Sequence, residues 1–441
     1  MFEPQTYALL MLAGFFGLLM LGVPVATTLA TVGFVFGWLG FGDGLFNLLP
    51  ARFYGIVAGY QWMAIPLFVF MGVMLEKSRL ADDLLDVMGH IAGGVSGGMG
   101  VGIILFGVLM GATTGIVGAT VITLGLLTLP TLVRRGYDKG LACGAICASG
   151  TLGQIIPPSL ILILLSDIMQ LSVGTLFAAA VGPGLLLAAV YIVYLLVRGW
   201  MRPDLMPAIP LAERSLVSRS QLWVRFWKVV VPPILLVVAV LGSIVGGVAA
   251  PTEAASMGAV GSVLITLAAG RLRLPMLKAV ALETSKITAM MMFILMTAQV
   301  FALAFRGLHG EDLITRMFEW LPGGVNSDIW FMMALIFVLG FFIEWIEISY
   351  IAVPLFLPVL LAQGVDPIWL AMLITVNLQS SFLTPPFGWA LFYLKGVAPP
   401  GVTIKDIYRG VVPFVCMQGL TLALVFFYPQ IALWLPKVIG W

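Results

Sequence analysis

Long apolar stretches separated by short polar ones fill this chain, and their spacing repeats. Apolar runs extend from Tyr7 to Leu39, Val229 to Gly270, Trp330 to Leu361 and Val411 to Leu435, each longer than the roughly 20 residues that cross a bilayer as a helix. Runs longer than one span predict paired or bent helices. Pro130, Pro157 and Pro158 recur as Pro358, Pro385 and Pro386, each 228 residues on, and the same offset carries Leu132 to Leu360, Gly136 to Gly364 and Asp138 to Asp366. Pro24 and Pro251 stand 227 apart, so the duplication covers most of the chain with small insertions. A duplicated membrane chain whose halves carry proline-broken apolar segments predicts a transporter with its site between the halves.

The basic residues predict an orientation. The stretch from Arg198 to Lys228 holds Arg198, Arg202, Arg214, Arg219, Arg225 and Lys228, which reads as a cytoplasmic link between repeats. Loop Arg134-Arg135-Gly136-Tyr137-Asp138-Lys139 is basic, whereas its counterpart Ala362-Gln363-Gly364-Val365-Asp366-Pro367 has no positive charge. Gly40 to Asn47 lacks basic residues, while Arg271 to Lys278 carries Arg271, Arg273 and Lys278. Equivalent loops of opposite bias predict an inverted repeat. The expected fold is an all-α polytopic membrane protein of about 11–12 spans, with residues 1–200 and 229–441 as inverted repeats and 201–228 as a basic linker.

Each repeat is expected to hold one re-entrant hairpin and one broken helix. Ile65-Pro66-Leu67-Phe68 interrupts an apolar stretch ending at Glu76-Lys77-Ser78-Arg79, and Thr284 to Ala304 contains the polar Thr297 and Gln299. Both are followed by amphipathic pieces, so the hairpins are expected near 50–79 and 284–306; the alternative is an ordinary kinked span in each repeat. The broken helices are expected near 139–168 and 367–396.

The chemistry is expected where polar groups and helix breaks meet at membrane depth. In the first half this is Ala148-Ser149-Gly150-Thr151-Leu152-Gly153-Gln154-Ile155-Ile156-Pro157-Pro158-Ser159, and in the second Asn377-Leu378-Gln379-Ser380-Ser381-Phe382-Leu383-Thr384-Pro385-Pro386-Phe387-Gly388. Freed carbonyls and the hydroxyls of Ser149, Thr151 or Ser159 make an oxygen cage suited to a hard cation such as sodium. The helix after each proline pair points its amides at the cavity and favours a carboxylate. A hydroxyl here also fits a plainer role, bonding a carbonyl one turn back. Glu344 and Glu347 lie in an apolar run, where an acid costs on the order of 2.5 to 3.5 kcal/mol. Their candidate roles are proton or cation coupling, a pair with Lys286, or a wet position at the membrane edge. Glu253, beside Pro251, reads as a helix-start residue.

Composition narrows the class. The chain is 61% apolar and 10% charged, with a mean hydropathy of +1.11, against about 25% charged in soluble proteins. Its net charge of +2 identifies no partner, nucleic acid included. The first run, with no basic region before it, reads as a retained span rather than a signal peptide. Cys143, Cys147 and Cys416 are too few and too apolar in setting for a disulfide framework; Cys143 and Cys147 are expected to be small buried hydrophobes rather than metal ligands, and His90 and His309 surface or interfacial residues. No phosphate-binding Gly-x-x-x-x-Gly-Lys-Ser/Thr sequence is present.

Thr114-Gly115 through Gly136-Tyr137-Asp138-Lys139, Ala148-Ser149-Gly150-Thr151, Ile156-Pro157-Pro158-Ser159 and Pro251-Thr252-Glu253-Ala254-Ala255 together resemble the large, DctM-type membrane subunit of the tripartite ATP-independent periplasmic transporters. The likeness covers nearly the whole chain. It implies a bacterial inner-membrane secondary transporter, not an enzyme, driven by sodium through an elevator-like moving domain. It implies two partners, a small four-span membrane subunit encoded separately and a periplasmic binding protein that delivers an organic anion. It places the sodium sites at the hairpin tips and at Ser149, Gly150, Thr151 and Gly153 with Asn377, Gln379, Ser380, Ser381 and Thr384. Pro157, Pro158, Ser159, Pro385, Pro386, Thr297, Gln299, Glu344 and Glu347 are the further substrate or coupling candidates. Gln154 departs from the resemblance, in which a smaller residue or proline is usual.

The stretch Leu378 to Gly388 is similar to the branch associated with 2-oxo acids and related monocarboxylates, a dicarboxylate being the other reading. The carboxylate is expected to meet amides and hydroxyls rather than a dedicated arginine, because none lies deep in an apolar run beyond Arg306. An ion or organic-anion channel and a proton-coupled carrier are the competing functions; a channel has no need of matched hairpins and breaks.

Overall fold

Apolar segments of this length pair their backbone groups internally as helices, and the computed structural model, which describes residues 4–115, 117–210, 218–319, 321–385 and 388–440, is all-helical among those residues. The first half runs α1 (Pro4–Met20), α2 (Val25–Phe41), α3 (Gly44–Val57), α4 (Ala64–Lys77), α5 (Leu80–Ala92), α6 (Gly98–Thr114), α7 (Val117–Arg134), α8 (Lys139–Leu152), α9 (Leu160–Ile168) and α10 (Val173–Met201). A basic amphipathic α11 (Arg219–Val229) follows. The second half runs α12 (Val231–Val245), α13 (Pro251–Ala268), α14 (Leu274–Gly307), α15 (Gly310–Glu319), α16 (Val325–Leu339), α17 (Trp345–Ala362), α18 (Pro367–Leu383), α19 (Trp389–Val397), α20 (Ile404–Phe427) and α21 (Gln430–Val438). Six helical segments are long and apolar enough to cross a membrane by length and composition, and α1, α2, α6, α16 and α18 are shorter apolar helices.

The two halves pack reciprocally. α2 lies on α14 and α4 on α13; α8 lies on α20 and α10 on α18; α7 lies on α19 and α9 on α17. Each pair joins one helix to the counterpart of its partner's equivalent, the contact pattern of a twofold. The halves are also inverted. Arg271 donates to the carbonyls of Ser78 (3.2 Å) and Arg79 (2.7 Å) and pairs with Asp83 at 2.5 Å, so α13 ends on the face where α4 ends. Gly307 packs against the Phe41 ring, so α2 ends on the other face, where α14 arrives. Equivalent helices α2 and α13 therefore run in opposite directions. The basic loops share one face: Asp138 N donates to Leu205 O (2.9 Å), and Arg225 pairs with Asp86 at 3.1 Å.

The stretch 201–228 is not a plain linker. It begins with a 3-10 turn at Pro203–Leu205, is tied to the first half by Ile209 N donating to Gly93 O (2.8 Å), and ends in α11; residues 211–217 lie outside those described. The hairpins form elsewhere than at 50–79 and 284–306. Pro66 sits in the first turn of α4, where a missing N–H breaks nothing, and α14 runs unbroken for 34 residues. Thr297 leaves that helix intact because its hydroxyl donates to Phe293 O (3.1 Å) and Ile294 O (3.0 Å). The helical hairpins are instead α6–α7 and α16–α17, next in sequence to the broken helices α8/α9 and α18/α19.

Aromatic residues fill the centre, with Phe15 against Phe301 (5.3 Å) and Tyr191 against Phe414 (5.2 Å). The outer face carries exposed Leu185, Val193, Leu235, Val260 and Leu264, an apolar surface suited to lipid. Cys143 and Cys147 are buried, whereas Cys416 is exposed. His90 sits 3.3 Å from Asp86 and His309 3.4 Å from Asp312, near the ends of surface helices. Glu253 accepts from Ala250 N at 2.9 Å, as a helix-start residue does.

Glycine sets the closest packing between the halves. A Cβ on Gly410 of α20 would lie 1.9 Å from Gly140 O of α8, whereas one on Gly419 of the same helix meets nothing within 4 Å. Gly410→Leu is expected to cost about 1–3 kcal/mol or more and lower the melting temperature in detergent, while Gly419→Leu leaves it unchanged. Equal melting temperatures for the two variants contradict this packing.

Candidate functional site

Both broken helices start from the same device. Asp138 accepts from Leu141 N (2.9 Å) at the head of α8, and Asp366 accepts from Ile368 N (2.9 Å) and Trp369 N (3.0 Å) at the head of α18, aspartate caps that satisfy orphan amides. Both helices then stop inside the protein, α8 at Leu152 and α18 at Leu383, before restarting as α9 and α19. Proline cannot donate to a helical ladder, so Pro157-Pro158 and Pro385 hold the breaks open; Pro386 and Phe387 lie outside the described residues.

Each break is tied to its hairpin by a side chain at the same repeat position. Ser149 Oγ donates to Ile103 O of α6 at 2.6 Å, and Asn377 Nδ2 donates to Met333 O of α16 at 2.7 Å. Ser149 and Asn377 are 228 residues apart. Ser149 is fully buried and Asn377 nearly so, so each tie satisfies a side-chain donor that water cannot reach, as a second bond to a carbonyl within the hairpin helix. The helices approach closely enough for this because glycines face them. A Cβ on Gly107 would lie 2.0 Å from Ser149 Oγ, one on Gly111 2.2 Å from Gly153 Cα, and one on Gly340 2.2 Å from Ser381 Cβ.

The breaks gather oxygen. Gln154 Nε2 donates at 2.9 Å to the carbonyl of Gly115, the left-handed residue that ends α6 at the first hairpin tip. Its Oε1 is buried and has no partner. Ser159 donates to Gln154 O. Gln379 is fully buried with both amide atoms unpartnered. The hydroxyls of Thr151, Ser380, Ser381 and Thr384 donate to carbonyls of their own helix at 2.9, 2.6, 2.5 and 2.5 Å, the plainer role, and keep their lone pairs. Among the described residues no three His, Cys, Asp or Glu converge. The donor set is carbonyl, amide and hydroxyl oxygen, the chemistry of a hard monovalent cation rather than of zinc or iron. The orphaned Oε1 atoms of Gln154 and Gln379 fit a cation bound beside them.

Glu344 stands at the N-cap position of α17, without a side-chain capping bond, at the second hairpin tip, and Glu347, 4% exposed, lies in the first turn with Oε2 unpartnered. At that exposure the Glu347 carboxylate is enclosed by protein. Lys286 is exposed on α14 and forms no ion pair with either acid among the described residues, because that face of α14 points away from the tip. Thr297 and Gln299 are not brought to the breaks; they sit on α14, which packs on α2, α4 and α17. The residues that sequence reasoning missed are Gly107, Gly111, Gly115 and Gly340. The signal was present, since Gly107/Gly111 and Ser149/Gly153 are small pairs four apart, the spacing of close helix contacts in membranes.

The family model described as "Tripartite ATP-independent periplasmic transporter, DctM component" matches residues 12–431. The C4-dicarboxylate TRAP transporter large permease protein DctM of Pseudomonas aeruginosa is 33% identical over 389 residues, covering 86% of this chain and 87% of that protein. The ectoine TRAP transporter large permease protein TeaC of Halomonas elongata is 29% identical over 435 residues, covering 97% and 98%. The crystal structure of the Alcanivorax borkumensis YdaH transporter, described as having an unusual topology, superposes with a TM-score of 0.64 at 15% identity over 99% of each chain, a likeness of fold alone.

If the ties hold the hairpins in place, Asn377→Leu, which removes the bond to Met333 O, costs about 0.5–1.5 kcal/mol of stability and lowers the melting temperature, and Asn377→Gln does so less. Melting curves in detergent check this; an unchanged Asn377→Leu protein removes the tie from the account.

Proposed function

The chain belongs to the tripartite ATP-independent periplasmic transporter family, DctM component, and from that membership we propose that it imports a small organic acid on a sodium gradient. It is an inner-membrane transporter and not an enzyme, and large permeases of this family work with a small membrane subunit and a periplasmic binding protein. We take the partners here to be a separate four-span subunit and a binding protein that hands over the organic anion.

One observation carries the reading: the same-position ties Ser149 to Ile103 O and Asn377 to Met333 O bind each broken helix to its hairpin. Two such units, inverted, form oxygen-lined breaks after Leu152 and after Leu383, with Gln154 in the first break and Gln379 in the last turns of α18 before the second. Sodium is the substrate ion that these oxygens suit, and the restarting α9 and α19 offer amide ends to a carboxylate. The hairpins and broken helices move as one body against α2, α4, α13 and α14, an elevator. The relatives named for C4-dicarboxylates and for ectoine handle molecules that share a carboxylate. That group, in a 2-oxo acid or a dicarboxylate, is what this chain is proposed to recognise.

A proton-coupled carrier is the second reading, favoured by the buried, unpartnered Glu347. Uptake into proteoliposomes holding this chain, the small subunit and the binding protein separates the two. The sodium reading expects uptake to require an inward sodium gradient, to ignore a pH gradient, and to retain its sodium requirement in Glu347→Gln. Asn377→Leu and Ser149→Leu are expected to lower sodium-driven uptake by roughly tenfold or more. Uptake driven by protons without sodium, or leak without the binding protein, overturns the proposal.

A further inference from the structure

A cavity of about 370 Å³ lies between α3, α9, α14 and α17, away from the two breaks, lined by Arg52, Asp167, Gln170, Gln299, Arg306 and Tyr350. Its wall on α14 runs from Ala298 to Arg306, about 12 Å of helix at 1.5 Å per residue. Arg306 is one residue from the end of α14 that lies opposite Arg271, so the cavity sits on the face away from the basic loops. By the preference of basic loops for the cytoplasm, that face is the periplasmic one.

The lining is rich in donors. Arg52 makes no ion pair among the described residues. Arg306 Nε holds Glu311 at 3.2 Å, one contact from a guanidinium with five N–H groups. Tyr350 is 3% exposed and its hydroxyl, buried in this wall, has no partner. A buried phenol normally finds one. Two guanidiniums, a free phenol and the Gln299 amide in a wall with a single acid form a seat for a planar anion, which arginine grips bidentately.

We infer that this cavity is an outward receiving site for the carboxylate of the transported molecule, gripped by Arg306 and Arg52 and completed by Tyr350 and Gln299. The inference rests on the carrier reading above. It adds a step before the breaks: the acid is caught on the periplasmic side by arginine and then passes to the amide ends of α9 and α19. Glu311 occupies Arg306 while the seat is empty, and the incoming carboxylate takes its place. Arginine thus enters recognition at the mouth, where the sequence alone led to amides and hydroxyls.

The test separates the seat from the carrier. Ala302, which lines the cavity, is changed to Cys in a Cys416→Ser background and the full chain is placed in nanodiscs. Its modification by an anionic sulfonatoethyl and a cationic trimethylammonioethyl methanethiosulfonate is then timed. The anion is expected to react faster by roughly tenfold; Arg52→Gln with Arg306→Gln erases the preference, and Glu311→Gln enlarges it. No labelling, equal rates, or a preference indifferent to the arginines overturns the seat. In proteoliposomes with both partners, Arg306→Gln and Tyr350→Phe raise the KM for the transported acid, the arginine change by roughly tenfold, with sodium dependence kept. Arg306→Lys keeps the thiol preference yet raises KM, as loss of the fork demands. An unchanged KM in all three overturns the inference. Charge-selective labelling without sodium-driven uptake of any acid by the unaltered protein supports an anion seat and instead defeats the carrier reading.

Discussion

A backbone group stripped of its helical partner inside an apolar medium must find another, and this chain breaks two helices where water does not reach. Everything at the centre follows from that constraint. Ser149 and Asn377, just before the breaks, place their own buried donors across the helix gap on carbonyls of the neighbouring hairpin helices. The glycines at 107, 111 and 340 let the helices come close enough for those bonds to form. What stays unsatisfied there includes the amide oxygens of Gln154 and Gln379, the atoms to which the proposed function assigns sodium.

The inverted duplication gives the same solution twice with different residues. Serine ties one hairpin and asparagine the other; glycine stands opposite Gly111 and serine opposite Gly340. The unlike pairs leave the two sites chemically distinct, the second richer in side-chain oxygen and amide. Only the second hairpin tip carries acids, Glu344 and Glu347, a further difference between the two halves.

Much of the frame was legible in the sequence because it rests on local signals. The 228-residue offset located the broken helices and their aspartate caps, and loop charge predicted the inversion that the contacts of Arg271 and Gly307 display. The first hairpin was misplaced because Pro66, which sits in the first turn of α4, was read as a breaker, and the second because polar side chains were. Thr297 bonds its own helix and breaks nothing, whereas Gly115, in the left-handed region, turns the chain. Lys286, one candidate partner for Glu344 and Glu347, lies on an exposed face of α14 that periodicity alone does not orient. The cavity of Arg52, Asp167, Arg306 and Tyr350 is assembled from four elements distant in sequence, and no local pattern announces it.

The central claim is that hairpins and broken helices form one body that sodium displaces against α2 and α13. Pulsed electron resonance between spin labels on exposed positions tests it most directly, with Leu126 and Leu361 inside the body and Val260 outside it. The account predicts that sodium leaves the Leu126 to Leu361 distance unchanged and shifts the Leu126 to Val260 distribution. A change within the body, or none across its boundary, contradicts it.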